Sequence, residues 1–292
     1  MKRSILFIPG NNPSMIQDSY IFDADGIIYD LEDAVAFSQK DSARIIVKSF
    51  VESGLIEDKE VIIRINDIDS KYYEDDVNLI VSNYIDTIML PKATEASVLA
   101  LASKLDEIEE AKEMSKRIKI IPIIELGQSV LEVERIVPHQ RVSGVLLGAE
   151  DLSFDLGIMR TKEGAEIEYV RSKIVIAAKS YKKDAIDTPF TDVNDDEGLL
   201  KDAKRAKLLG MNAKACIHPR QARAINEVFS PSTFDIDYAK RVLKGFEEAQ
   251  KVGLGVFSLD GKMIDRPIIE RAQNVILKAR YFKLERNKWK IV

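Results

Sequence analysis

The sequence predicts an α/β fold, a (β/α)8 barrel followed by a C-terminal helical extension. Three observations predict it. Eight short apolar runs recur between Ser4 and Ile217, and helical segments separate nearly all of them. The run interiors are largely apolar, whereas the run ends carry polar or ionisable groups. The length, 292 residues, suits one barrel with an appendage. Alternating strand and helix with Val/Ile/Leu-rich runs is the pattern of a parallel sheet covered on both faces. A long open parallel sheet is the lesser option. We expect the barrel over residues 1–229 and the extension over 230–292.

The elements follow in order. Ser4–Ile8 reads as a strand stopped by Pro9-Gly10, and GNNPSMIQDSY starts a short helix. Gly26–Tyr29 is a second strand, followed by the acidic cluster Asp30, Glu32 and Asp33; Lys40–Val51 is a helix. Glu60–Ile65 is the third strand, with Arg64 near its end and Asn66 after it, and Asp76–Asn83 has helical spacing. Thr87–Leu90 is the fourth, ending at Pro91-Lys92. Thr94 caps an Ala/Leu-rich helix to Leu105, and a separate charged helix is expected over Asp106–Arg117.

Ile118–Ile124 and Gly144–Leu147 are strands five and six, with helix Gln128–Ile136 between them. Glu166–Ser180 is helical, Asp184–Asp187 is a weak seventh strand, and Leu199–Leu209 is a helix entered through the acidic DVNDDEG segment. That segment is not a calcium loop, because Glu197 stands where the turn glycine belongs. Ala213–Ile217 is the eighth strand, ending at His218-Pro219 before helix Arg220–Phe229. Beyond Pro231, a long helix lies within Phe234–Val252, then a glycine-rich stretch with a strand at Val256–Leu259 and a turn at Asp260-Gly261. The final helix is Ile268–Leu284, with Pro267 suited to its first turn.

Composition narrows the function. A formal charge of −5 and a pI near 5.4 argue against a nucleic-acid partner. A hydrophobic content of 46% supports a sizeable core. The single cysteine, Cys216, excludes an internal disulfide and a Cys-rich zinc site. No run reaches membrane-spanning length, and the apolar stretch after the basic N-terminus is too short for a signal peptide. We expect a soluble cytoplasmic protein with no membrane contact.

Two carboxylates stand out. Glu125 and Asp151 lie just past consecutive strands, at the same face of a parallel sheet. One such residue is usually a helix cap or a solvated loop group. Two together can share a hard cation, and oxygen ligands with open water positions are what Mg²⁺ prefers. Lys92 and Lys214 keep a Schiff-base alternative open. His218 reads as a loop residue, His139 as a surface residue and Cys216 as a small buried side chain. Asp265, just before Arg266-Pro267, reads on its own as a turn or helix-cap residue.

The pieces RSILFIPGNNPSMI, IIYDLEDAV with Lys40 and Arg44 after it, IRIN, LPK, IIE, GAEDLSFDLG, IHPRQ and GKMIDRP run in this order from Arg3 to Pro267. Together they resemble the HpcH/HpaI family of metal-dependent aldolases and carbon–carbon lyases, which includes citrate lyase β subunits and malyl- and citramalyl-CoA lyases. The GNNP turn looks more like the citrate lyase branch. The resemblance implies a barrel, Mg²⁺, and cleavage of a 3-hydroxy thioester such as citryl thioester to oxaloacetate and acetyl thioester. It implies that Glu125 and Asp151 ligate the metal and that Arg64 binds a substrate carboxylate, with Asp30 and Glu32 orienting it. Arg3, Glu125 and the Gly148–Ala149–Glu150 segment would also contact substrate. Asp265 would be the catalytic aspartate, on a lid-like segment that packs on the barrel or reaches a neighbouring subunit's site. An oligomer follows, with a trimer favoured, and an acyl carrier and α subunits as partners. The alternatives are a malyl- or citramalyl-CoA lyase acting on a free CoA thioester, and a non-catalytic assembly subunit. Retention of the full Glu125, Asp151, Arg64 and Asp265 set argues against the last.

Overall fold

The computed structural model describes residues 1–251 and 253–284. Eight parallel strands close into a barrel in sequence order: β1 (Ser4–Pro9), β2 (Gly26–Asp30), β3 (Glu60–Arg64), β4 (Thr87–Leu90), β5 (Lys119–Ile124), β6 (Gly144–Leu147), β7 (Asp184–Asp187) and β8 (Ala213–Cys216). The expected fold class is the one observed. The seam is formed by β1 and β8, which pair from Ser4 opposite Lys214 to Leu6 opposite Cys216. Across it the Cys216 thiol donates to the Ile5 carbonyl at 3.6 Å.

Strand periodicity explains the core. Successive side chains point to opposite faces, so each strand sends alternate residues into the barrel. The interior holds Ile5, Ile28, Ile62, Met89, Ile121, Ile123, Leu146, Ile186, Ala213 and Ala215, with Phe7 packed against them. The intervening residues, among them Leu6, Ile27, Ile63 and Val145, are also buried. Both faces of the strands are therefore apolar, and this produces the continuous runs seen in the sequence.

The helices outside are set by local signals. Asn12 caps α1 (Pro13–Asp18) by accepting from the Met15 amide at 3.1 Å, with Pro13 in the first turn. α2 (Lys40–Val51) begins where expected, while α3 (Tyr73–Ile80) starts and ends three residues before the expected span. Its first turn gathers Glu74, Asp75 and Asp76, which favour a helix N-terminus. Thr94 and Ser97 form a reciprocal cap on α4 (Glu95–Ala111). Here the expectation of two helices is corrected. No breaker separates Leu105 from Asp106, and buried Leu101, Leu105 and Ile108 extend one stripe across the junction.

α5 (Gly127–Ile136) follows β5, and α6 (Ala149–Asp155) follows β6. α7 (Glu168–Ser180) precedes β7. α8 (Asp196–Leu209) is capped by Asp195 and stopped by Gly210 at φ 106°. α9 is Pro219–Phe229.

The chain divides into two compact units, one of residues 2–226 and one of residues 227–292 with Met1. In the second unit, α10 (Thr233–Lys251) and α11 (Arg266–Tyr281) flank a two-stranded antiparallel hairpin, β9 (Phe257–Leu259) and β10 (Lys262–Ile264). Ile236, Ala239 and Val242 on one helix and Ile269, Ala272, Ile276 and Ala279 on the other form its small core with Ile264. Such i, i+3, i+4 spacing is that of amphipathic helices. Val252 and the tail from Glu285 to Val292, included in the sequence reading, lie outside the described residues. Among the described residues no helix is long and apolar enough to cross a membrane.

Candidate active site

The site is the next inward step on seven of the eight strands. Two residues beyond Phe7 lies Pro9, beyond Ile28 lies Asp30, beyond Ile62 lies Arg64, beyond Ile123 lies Glu125, beyond Leu146 lies Gly148, beyond Ile186 lies Thr188, and beyond Ala215 lies Ile217. All seven line one cavity of about 460 Å³ at the carboxyl ends of the strands. Asp33, Glu150 and Asp151 complete its acidic wall. Five acidic residues and one arginine thus line this cavity.

Arg64 is gripped from two sides. Its Nε and Nη2 donate to the two carboxylate oxygens of Asp30 at 2.7 and 2.6 Å. Its Nη1 lies 3.0 Å from Glu32 and 3.5 Å from Asp33. The guanidinium sits over the Phe7 ring, 5.1 Å from the centroid. Burial disfavours its charge, but Asp30 and Glu32 outweigh that and hold it charged more firmly than usual. Burial pushes the Glu32 carboxyl up to about 7; Arg64 opposes this, and Asp33 and Asp30 reinforce it.

The acidic loop is braced from behind. The Lys40 ammonium, at the start of α2, donates to the carbonyls of Leu31 and Glu32 at 2.8 and 2.7 Å. Asn66 donates to Leu31 O at 2.9 Å and to Asp76 at 2.6 Å, and Asp76 in turn accepts from Arg44 at 2.8 Å. On the other side, the Gly10 amide donates to Asp30 O at 2.8 Å. A Cβ on Gly10 would lie 2.6 Å from that oxygen, so only glycine allows the approach.

Glu125 is 3% exposed and Asp151 is exposed. One oxygen of Glu125 accepts from the Lys92 amide at 2.5 Å, while Oε2 has no hydrogen-bond partner among the described residues. Burial pushes the Glu125 carboxyl up to about 8; the Lys92 amide opposes this, and Glu32 and Asp151 add to it. Asp151 has neither a hydrogen bond nor an ion pair among the described residues. Gly148 closes over Glu125 tightly: a Cβ there would lie 2.5 Å from Oε2. No group of three or more His, Cys, Asp or Glu side chains able to hold a metal occurs among the described residues. The donor set is instead two carboxylates with free oxygens in a cavity of excess negative charge. That fits a hard cation which keeps water or substrate in its remaining positions.

Several expectations need correction. Arg3 is in phase with Ile5 but lies at the amino end of β1, roughly 20 Å from the cavity at strand rise. Its guanidinium pairs with Asp25 at 2.9 and 2.8 Å, so it has no place in substrate binding. Asp151 is not a strand-end residue but the third residue of α6, a short helix absent from the sequence reading. The Glu150 side chain turns to Arg160 at 3.4 Å. Of the N–H groups expected to meet substrate, that of Gly148 is bonded to Ile124 O at 3.1 Å and that of Ala149 to Thr188 Oγ1 at 3.3 Å. The Glu150 amide alone of the three has no acceptor among the described residues.

Asp187, one of the ionisable groups at the run ends, faces outward. It joins a fully buried cluster with Arg171, Lys214 and Asp202, in which Lys214 contacts both carboxylates at 2.6 Å. Lys214 is therefore outside the cavity, which removes it as a Schiff-base candidate. His218 and His139 each accept a backbone N–H at Nδ1, at 3.2 and 3.3 Å, and neither lines the cavity. Cys216 is buried, its thiol pushed up to about 12 by burial. Asp265 belongs to the C-terminal unit, where its carboxylate caps α11 by accepting from the Ile268 amide at 3.4 Å. Thr188, Ile217 and the Lys40–Asn66 brace were missed as site parts; the first two are legible once the inward phase of each strand is extended by one step.

A family model described as HpcH/HpaI aldolase/citrate lyase matches residues 3–219. The chain is 38% identical over 284 residues to a citrate lyase subunit beta from Haemophilus influenzae, covering 96% of this chain and 97% of the relative. It is 29% identical over 294 residues to the mitochondrial citramalyl-CoA lyase of Homo sapiens, covering 97% and 86%. Among solved structures, a citrate lyase beta subunit from M. tuberculosis complexed with oxaloacetate and magnesium matches with a TM-score of 0.66 at 27% identity, covering 79% of this chain and 97% of that one.

Proposed function

The chain belongs to the HpcH/HpaI aldolase/citrate lyase family, and on that premise we propose that it is the Mg²⁺-dependent lyase that cleaves citryl thioester to oxaloacetate and acetyl thioester. One observation carries this reading. Glu125 with a free oxygen, unpartnered Asp151 and the clamped Arg64 line a single cavity at the barrel's carboxyl end. The similarity to citrate lyase beta subunits, and the oxaloacetate and magnesium bound by a solved relative, support it.

The reaction is a retro-aldol cleavage. The tertiary hydroxyl loses its proton to solvent water, the electrons of the C–C bond pass to the acetyl thioester as its enolate, and that carbon takes up a proton. Glu125 and Asp151 would hold Mg²⁺, which supplies Lewis acidity to the α-hydroxy carboxylate when bound. Arg64 binds a substrate carboxylate. A guanidinium has five N–H donors; Asp30 accepts one from Nε and one from Nη2, while Nη1 stands in ion-pair contact with Glu32 and Asp33, so the second N–H of Nη2 is left for substrate. Because Asp30 holds the guanidinium plane by two bonds, that donor is aimed before substrate arrives. The Glu150 amide offers a further donor to the keto-acid oxygens. Asp265 delivers the proton to the acetyl carbon, in keeping with the family resemblance of GKMID, and regains one from solvent. As a beta-type subunit the chain works in an assembly with an acyl carrier and an α subunit, as an oligomer, in the cytoplasm.

The test uses the isolated chain with citryl-, malyl- and citramalyl-thioesters side by side, with and without EDTA. Oxaloacetate release from the citryl substrate, abolished by EDTA and restored by Mg²⁺, is the expected result. Preferential pyruvate release from the citramalyl substrate would instead place the chain with the CoA lyases, to which it is also similar. Borohydride trapping of the chain on a keto acid would replace the metal reading with a Schiff base.

A further inference from the structure

Lys92 stands out for its backbone. It carries a β-carbon yet adopts φ 46° at the carboxyl end of β4. The left-handed region is sterically costly for such a residue and is held only where the surroundings impose it. Here that conformation places the Lys92 amide 2.5 Å from Oε1 of Glu125. Its side chain turns to the other half of the site: Nζ lies 3.8 Å from Glu32 Oε1 and 3.6 Å from Asp67 Oδ2. Glu32 in turn contacts Arg64 through its other oxygen at 3.0 Å. One residue thus touches both the carboxylate assigned to the metal and the carboxylate that grips the arginine.

We propose that Lys92 is the positioning residue that couples the two halves of the site. Its left-handed backbone selects which oxygen of Glu125 is occupied and leaves Oε2 for the cation. Its ammonium steadies Glu32 and thereby the aim of Arg64. The proposal deepens the lyase reading and rests on it. It also accounts for the presence of lysine where glycine would be sterically easier: glycine would supply the amide but not the ammonium.

The two roles separate by substitution. Lys92→Gly keeps the N–H and the left-handed backbone but loses the ammonium. Lys92→Val loses the ammonium too, and its β-branch drives the backbone out of that region, withdrawing the N–H from Glu125. Mn²⁺ affinity, measured by electron paramagnetic resonance as a stand-in for Mg²⁺, is expected to stay within about threefold of wild type in Lys92→Gly and to fall at least tenfold in Lys92→Val. Equal affinities in the two variants would overturn the backbone role. Should Lys92→Val not fold, a Lys92→Gly protein that melts below Lys92→Met would overturn it as well, because both lack the ammonium and only the glycine relieves the strain. For the ammonium, oxaloacetate binding in Mg²⁺-loaded protein is expected to weaken several-fold in Lys92→Met and to recover in Lys92→Arg. Wild-type binding in Lys92→Met overturns that role. Wild-type protein that binds no oxaloacetate counts against the lyase reading alone, and the Mn²⁺ comparison still decides the backbone role.

Discussion

Gly148 carries no side chain because Glu125 occupies the space one would need. A methyl there would sit 2.5 Å from Oε2, 2.6 Å from the Glu125 Cβ and 2.8 Å from Ile123. Gly148→Ala is therefore expected to displace the carboxylate and weaken Mg²⁺ binding about tenfold or more, with the barrel intact by circular dichroism; calorimetric titration showing wild-type affinity would contradict the packing argument. Arg64→Lys keeps the charge but loses the planar fork that Asp30 holds at two points. Turnover is expected to fall on the order of 100-fold, and wild-type kinetics would reduce Arg64 to a structural partner of the acidic loop. At this scale the gathering of Glu125, Asp151 and Arg64 at one cavity was legible from sequence, because each lies at or shortly after the end of an apolar run and cannot be hidden in it. Arg3 was misread because motif resemblance records that a residue recurs, not which end of its strand it occupies.

Among the elements, β7, β8, α7 and α8 meet at the buried Arg171, Asp187, Asp202 and Lys214 cluster. Lys214 also donates to Thr188 O at 2.7 Å, so the cluster holds the loop that lines the cavity. Lys214→Met leaves two buried carboxylates facing Arg171 alone. Breaking one partner of such a set costs about 3–5 kcal/mol, read as a lower urea midpoint. The cluster also makes stability depend on acid. Burial opposes the ionised form of Asp202, but Lys214 and Arg171 outweigh it and hold the carboxyl below its ordinary 3.8. Its contribution is present above that value and is lost as pH falls through the lower, folded-state one. The urea midpoint of wild type is expected to drop steeply below about pH 4, and that of Lys214→Met less so; equal slopes would show that the cluster is not the source. Sequence periodicity placed the strands here and put Asp187 among the ionisable run ends, without deciding which face it takes. An aspartate after an apolar run looks the same whichever face it takes, and only the phase set by Ile186 decides. α6 escaped for a related reason: seven residues are too few to show a helical period.

For the whole molecule, barrel and appendage were both legible, the first from eight repeated strand–helix units and the second from the break at Pro231. Asp265 belongs to the second unit, so its prediction concerns the assembly. Asp265→Asn is expected to block thioester cleavage while Mg²⁺-dependent oxaloacetate binding persists. Co-expressed with Asp151→Asn, it is expected to recover part of the activity, since mixed oligomers would pair an intact metal site with an intact Asp265 from a neighbour. Mixed oligomers confirmed by mass spectrometry yet lacking activity would exclude action between subunits. The closing seam has its own consequence. The Cys216 thiol meets the Ile5 carbonyl across 211 residues of sequence. During synthesis β1 waits for a partner that is among the last parts of the barrel to leave the ribosome, and contacts this distant make folding slow. Until then two strand edges stand open to any other nascent chain. Ribosome-bound fragments ending before Ala213 should therefore depend on chaperone capture in a way that the released, closed barrel does not.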